Sequence, residues 1–88
     1  MAQVRLRLSR RAPNEAPYVA LREALIAARK RAGLTQQELA DLVGRPQSFI
    51  AKAEVGERYL DGVELIAILK LLNADFGDIA SEVLSRIK

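Results

Sequence analysis

The chain has 88 residues, half of them apolar, with 14 Lys or Arg against 11 Asp or Glu and a formal charge of +3. That length suits one domain, since single cores run to about 100–150 residues and rarely divide below that size. With no cysteine and no histidine, disulfides, thiolate metal sites, cysteine nucleophiles and imidazole acid–base chemistry are excluded together. The Asp and Glu residues are scattered without motif-like pairing, so no catalytic residue, metal site or cofactor is expected and the chain is not read as an enzyme. The only aromatic residues are Tyr18, Phe49, Tyr59 and Phe76, which leaves Leu, Ile, Val and Ala to build the core, a palette that favours packed helices.

Residues 1–16 come first. Val4, Leu6 and Leu8 alternate with Arg5 and Arg7, the period of a short strand. A lone strand must pair with a second copy, pack on the domain or remain an arm. We read residues 1–16 as a basic N-terminal arm and 17–88 as the folded domain. Arg5, Arg7, Arg10 and Arg11 all precede the first acid, Glu15, and Arg29, Lys30 and Arg31 form a second cluster. Such clusters suit a phosphate-bearing partner or a solvated face, and charge alone does not choose. The amino terminus lacks the apolar core and cleavage site of a secretory signal. The longest apolar run, residues 63–72, contains Glu64 and Lys70 and falls short of the roughly 20 residues of a membrane span. A cytoplasmic protein with no membrane partner is expected, in keeping with the absence of cysteine.

The first helix should begin near Pro17, carry Leu21, Leu25, Ala28 and Ala32 on one stripe and stop at Gly33. Thr35-Gln36-Gln37-Glu38 has the spacing of a capping box, which starts a second helix running to Leu42 or Val43. Gly44 permits a sharp turn through positive φ. Pro46 then opens a third helix with Ile50 and Ala53 inward, ending at Gly56. Asp61-Gly62-Val63-Glu64 repeats the capping-box spacing and starts a fourth helix, apolar on more than one face, that reaches Leu72 or Asn73. Phe76, Ile79, Ala80, Val83, Leu84 and Ile87 form one stripe of a fifth helix running nearly to the chain end. The fold class is all-α: five helices around one core, with two short helices flanking a tight turn.

Gly33-Leu34-Thr35-Gln36-Gln37-Glu38-Leu39-Ala40, then Gly44, then Gln47-Ser48-Phe49-Ile50 and Glu54-Val55-Gly56 resemble the phage-repressor and Cro-type (XRE) helix-turn-helix family over residues 21–79. The resemblance implies a compact, lambda-repressor-like domain in which Ala40 is small where the second and third helices meet, and Leu39, Leu42 and Ile50 fill the space between them. It implies that the third helix enters the major groove, with Gln47, Ser48 and Lys52 at base edges. Phe49 either touches a thymine methyl or packs against the domain. Phosphate contacts are implied for Gln36, Arg45, Arg58 and Tyr59, and an ion pair for Arg29 and Glu54. Two positions depart from the family pattern: Pro46 stands where Ser or Thr often caps the third helix, and Val55 where Arg or Lys is common.

The partner implied is double-stranded DNA, and the function is transcriptional regulation in a bacterial or phage-infected cell, associated with the nucleoid. A repressor is expected that binds a pseudo-palindromic operator as a homodimer, because one short recognition helix reads few base pairs. The family's core needs apolar residues only to Ile79. Val83, Leu84 and Ile87 are therefore candidates for a C-terminal dimer interface, the alternative being that they fold back on the fourth helix. A second function, from another class, is an antitoxin that neutralises a toxin or other regulatory protein and controls its own operon.

Overall fold

The ends of the helices are set by local chemistry. In the computed structural model, which describes residues 14–87, α1 (Ala16–Arg31), α2 (Gln36–Val43), α3 (Gln47–Val55), α4 (Gly62–Leu71) and α5 (Phe76–Leu84) follow in order, and there is no strand among the described residues. Both capping boxes form. The Thr35 hydroxyl accepts from the Glu38 amide at 3.0 Å, and the Glu38 carboxylate accepts from the Thr35 amide at 3.0 Å. Asp61 and Glu64 make the same exchange at 2.8 and 2.9 Å. Each box satisfies two amides that a helix start leaves without intrahelical partners. The Asp75 carboxylate does part of this work for α5, accepting from Gly77 N–H at 2.8 Å.

The first four helices end by one device. The chain turns through the left-handed region and two amides fold back on carbonyls of the last turn. For α2, Gly44 adopts φ 77°, its amide reaches Asp41 O, and the Arg45 amide reaches Ala40 O at 3.0 Å. At the end of α4 the left-handed residue is Asn73, φ 53°, a residue whose short polar side chain tolerates that conformation.

Three boundaries differ from the expectation. Pro46, with ψ 153°, is the N-cap of α3 and not its first residue; its carbonyl accepts from Phe49 N–H at 2.9 Å, and no side chain caps the helix. Ala32 is exposed because it lies past the end of α1, as its C-cap. α5 stops at Leu84, one turn short of the chain end. There the Ser85 hydroxyl donates to Glu82 O at 2.7 Å and the next amides close tighter, three-residue turns onto Val83 and Leu84, an alternative to helix that serine favours.

α1 is the spine, with α3 and α5 packed against it, while α2 packs on α3 and α4. Leu25, Ala28, Leu39, Ala40, Phe49, Ile50, Ile68, Leu69, Leu72 and Ile79 form one buried cluster. Ala40 is fully buried, so a larger side chain there would separate α2 from its neighbours. Leu42 does not fill this space: it is 54% exposed. α2 faces inward along Leu39, Ala40 and Val43, and Leu42 lies about 100° around the helix from the centre of that face. α5 packs chiefly on α1, and Ile79 joins it to the cluster that holds Ile68 and Leu69 of α4. Residues 1–13, with Val4, Leu6, Leu8 and the arginines Arg5, Arg7, Arg10 and Arg11 of the expected arm, lie outside the described residues.

The α2 capping box should register in stability. Thr35→Ala is expected to cost about 1 kcal/mol in urea unfolding, the usual value of such a cap. The Thr35 amide, and then its hydroxyl, hold the Glu38 carboxyl below its ordinary pKa. A lowered carboxyl stabilises the fold above its unfolded-state pKa, and the contribution is lost as pH falls through the folded value. Glu38→Gln, which keeps an acceptor at this position, should remove that share of the acid-side loss, read as a flatter dependence of thermal midpoint on pH in the acidic range.

Candidate nucleic-acid interface

α2, the turn at Gly44 and α3 form a helix-turn-helix. The inward face of α3 carries Phe49 and Ile50, which are buried, and its outward face carries Ser48, Lys52 and Val55, which are exposed. Gln47, the first residue of the helix, is half-buried. α3 is therefore seated by one apolar face and offers the other, polar at Ser48 and Lys52, to solvent.

A chain of polar contacts orients this helix. Arg29 grips both oxygens of Glu54, through Nε at 2.7 Å and Nη2 at 3.0 Å, and its Nη1 donates to the Leu34 carbonyl at 2.8 Å. Gln36 Nε2 donates to Glu54 Oε1 at 2.9 Å, while Gln36 Oε1 accepts from Gln47 Nε2 at 2.7 Å. Gln47 and Glu54 are seven residues apart, hence on one face of α3 two turns from each other. Gln36, at the start of α2, spans that interval. Both ends of α3 are thereby joined to α1, to the α1–α2 loop and to α2. The Arg29 and Glu54 side chains are each only 10% exposed, so their charges are compensated by hydrogen bonds and not by water.

Arg45, from the turn before α3, and Arg58, from the loop after it, converge on Glu64. Arg58 Nη2 lies 2.9 Å and Arg45 Nη1 3.5 Å from the same carboxylate oxygen. Both guanidinium groups also lie over the Phe49 ring, at 4.7 Å for Arg58 and 5.0 Å for Arg45, within cation–π range. This decides between the two placements open for Phe49. It is 6% exposed and belongs to the core, so it is withdrawn from the base-reading set and instead supports two cations. Tyr59 stacks obliquely on Tyr18, with ring centroids 5.4 Å apart.

Gly56 ends α3 at φ 85°, and a Cβ there would come within 3.0 Å of the Arg22 guanidinium. The left-handed backbone favours glycine at this position, and a larger residue would also require the Arg22 guanidinium to shift slightly.

The structure brings together Gln36, Gln47, Arg29 and Glu54 as one relay, and Arg45 with Arg58 as one cluster, while Ser48 and Lys52 stand clear on α3. Two roles escaped the sequence. Gln36, a phosphate candidate, also bridges α2 to both ends of α3. For Glu64 the sequence signals only the capping of α4, because its spacing of six from Arg58 crosses a loop.

The geometry defines the class: a helix-turn-helix domain whose second helix is locked by its own side chains and presents polar residues outward. A helix-turn-helix family profile matches residues 25–79. The XRE-family like protein from Pseudomonas syringae pv. tomato str. DC3000 superposes with a TM-score of 0.74 and 39% identity, covering 85% of this chain and 92% of that one. The clp gene regulator ClgR from C. glutamicum superposes with a TM-score of 0.69 and 25% identity, covering 78% of this chain and 88% of that one. No curated protein sequence gives a significant match. The chain belongs to the XRE family of helix-turn-helix, DNA-binding transcription regulators. No helix among the described residues is long and apolar enough to cross a membrane.

Removing one member of the relay should cost more than removing the pair. Glu54→Ala leaves the Arg29 charge without its carboxylate and is expected to destabilise by about 3–5 kcal/mol. Arg29→Met combined with Glu54→Leu should recover most of that loss in chemical denaturation, while loosening the hold on α3.

Proposed function

We propose that this protein is a transcriptional repressor that occupies a pseudo-palindromic operator as a homodimer, excluding polymerase or an activator, in the cytoplasm of a bacterial or phage-infected cell. The observation that carries the proposal is the locking of α3 by the Arg29–Glu54–Gln36–Gln47 relay. A helix held at both ends can be presented to a groove in one orientation, which base recognition requires.

Gln47, Ser48 and Lys52 read base edges. With one N–H bonded to Gln36, Gln47 keeps its carbonyl and a second N–H, the donor and acceptor that adenine N6 and N7 demand. Lys52 donates to guanine O6 or N7, and Ser48 adds a weaker contact of either sense. Arg45, Arg58, Tyr59 and the remaining N–H of Gln36 meet phosphates and set the register. The arginines of residues 1–16 extend the contact along the duplex. Two copies are needed because α3 spans few base pairs.

Leu84, 64% exposed at the end of α5, with the half-buried Val83 and Ile87 beside it, supports the C-terminal face as the place where the copies meet.

Selection of bound duplexes from a random pool tests base reading. Gln47→Ala and Lys52→Ala should each weaken the best duplex by about 1–3 kcal/mol and relax preference at one base position. Full retention of selectivity by both variants would remove α3 as the reading element.

The dimer is tested separately. Val83→Asp with Leu84→Asp should give a helical monomer by sedimentation and circular dichroism, with steeply reduced operator affinity. A double variant that stays dimeric, or one that unfolds, would place the interface elsewhere.

A further inference from the structure

Glu64 stands out because an acid at a surface meant for DNA should repel it. Its placement turns that charge to another use. One oxygen, Oε1, accepts from the Asp61 amide at 2.9 Å, and the Glu64 amide bonds back to the Asp61 carboxylate at 2.8 Å. The side chain is only 12% exposed, so the carboxylate is fixed in position by the start of α4. The other oxygen, Oε2, receives both arginines. Arg45 and Arg58 themselves are 47% and 42% exposed. Each guanidinium has five N–H donors, more than the single oxygen of Glu64 can take up. Two cations on one carboxylate leave one uncompensated positive charge. Both guanidinium groups also lie within cation–π range of the Phe49 ring.

We propose that Glu64 is a positioning residue of the DNA-binding surface: it holds Arg45, before α3, and Arg58, after it, over Phe49, so that both guanidinium groups meet the sugar–phosphate backbone already ordered. The inference rests on the reading of Arg45 and Arg58 as phosphate contacts. Arginine is among the costliest side chains to immobilise on binding. A carboxylate that orders two of them in the free protein moves that cost from the association step to folding. The carboxylate also keeps two like charges close together without a ligand, and phosphate then completes a site already half neutralised. α3 is flanked by this device on both sides in sequence, so the same carboxylate aligns the backbone contacts with the base-reading helix between them.

The test uses the full chain with a fluorescent duplex carrying the best selected sequence and a scrambled duplex of equal length. Glu64→Gln keeps an acceptor for the Asp61 amide, so α4 still starts; thermal melting by circular dichroism checks this. The variant should bind the selected duplex about tenfold more weakly, the ordering cost of two rotamer-rich side chains, although it makes the surface more positive. Its slope of log K against log salt should match wild type, because the same phosphates are neutralised, whereas each arginine replaced by alanine lowers the slope by about 0.9. In a background of Arg45→Ala and Arg58→Ala, Glu64→Gln should make no further difference. Arg58→Lys, which keeps the charge but not the planar fork and leaves α4 untouched, should also weaken binding several-fold, without changing the slope.

Equal or tighter binding by Glu64→Gln would overturn the proposal, showing Glu64 to be idle or a competitor of phosphate. Persistence of the loss without the two arginines would overturn it as well. If wild type itself binds no duplex, the DNA-binding surface falls and this role with it; wild-type binding with an indifferent Glu64→Gln removes the role of Glu64 alone.

Discussion

The arrangement of this domain depends on the Glu54 carboxylate. Arg29 approaches it from α1, Gln36 from α2, and Gln47 is joined to it through Gln36. Each contact is a charge-assisted or amide hydrogen bond with strict direction, whereas the apolar cluster beneath α3 is held by forces without direction. Burial of Phe49 and Ile50 attaches the helix to the domain. The carboxylate determines which way the attached helix is turned. A buried ion pair is weak evidence for stability, since desolvation offsets much of the attraction. Its value here lies in orientation.

Short helices make such devices necessary. α2, α3, α4 and α5 have 8, 9, 10 and 9 residues, below the length at which an isolated helix persists in water. Two capping boxes and a series of left-handed stops satisfy the backbone at their ends, and one core cluster joins them. The uncapped start of α3 is the exception. There Pro46 supplies an extended backbone but no side-chain acceptor, and the helix is secured by tertiary contacts from Gln36.

Two acids near α3, Glu54 and Glu64, follow a common rule. Glu54 is enclosed by Arg29 and Gln36, and Glu64 by Arg45, Arg58 and the α4 backbone. Each carboxylate is turned to organise cations and amides, and what remains outward around α3 includes Lys52 and the unbound N–H groups of two arginines. Phe49 contributes as well: it belongs to the core, and both guanidinium groups lie over its ring. One aromatic residue thus joins the packing of the domain to the electrostatics of its surface.

The sequence alone determined whatever depends on neighbours along the chain. Thr35 with Glu38, Asp61 with Glu64, and the glycines at 33, 44 and 56 mark helix ends through contacts spanning three to six residues, so the five helices and the turn between α2 and α3 are legible with nearly correct bounds. The end of α5 was missed because apolar spacing continued past Ser85 while a local serine bond closed the helix. Which face of each helix is buried was decided by tertiary structure: Leu42 has the spacing of a core residue, but α2 is rotated so that Leu39, Ala40 and Val43 face inward. The same holds for Phe49, whose placement depended on where Arg45, Arg58 and the core came to lie. The bridge through Gln36 and the convergence of two arginines on Glu64 link residues 6 to 19 positions apart across three helices and their loops. Periodicity and capping rules do not register such contacts, because they arise only when the helices have packed and their side chains must satisfy one another's charge.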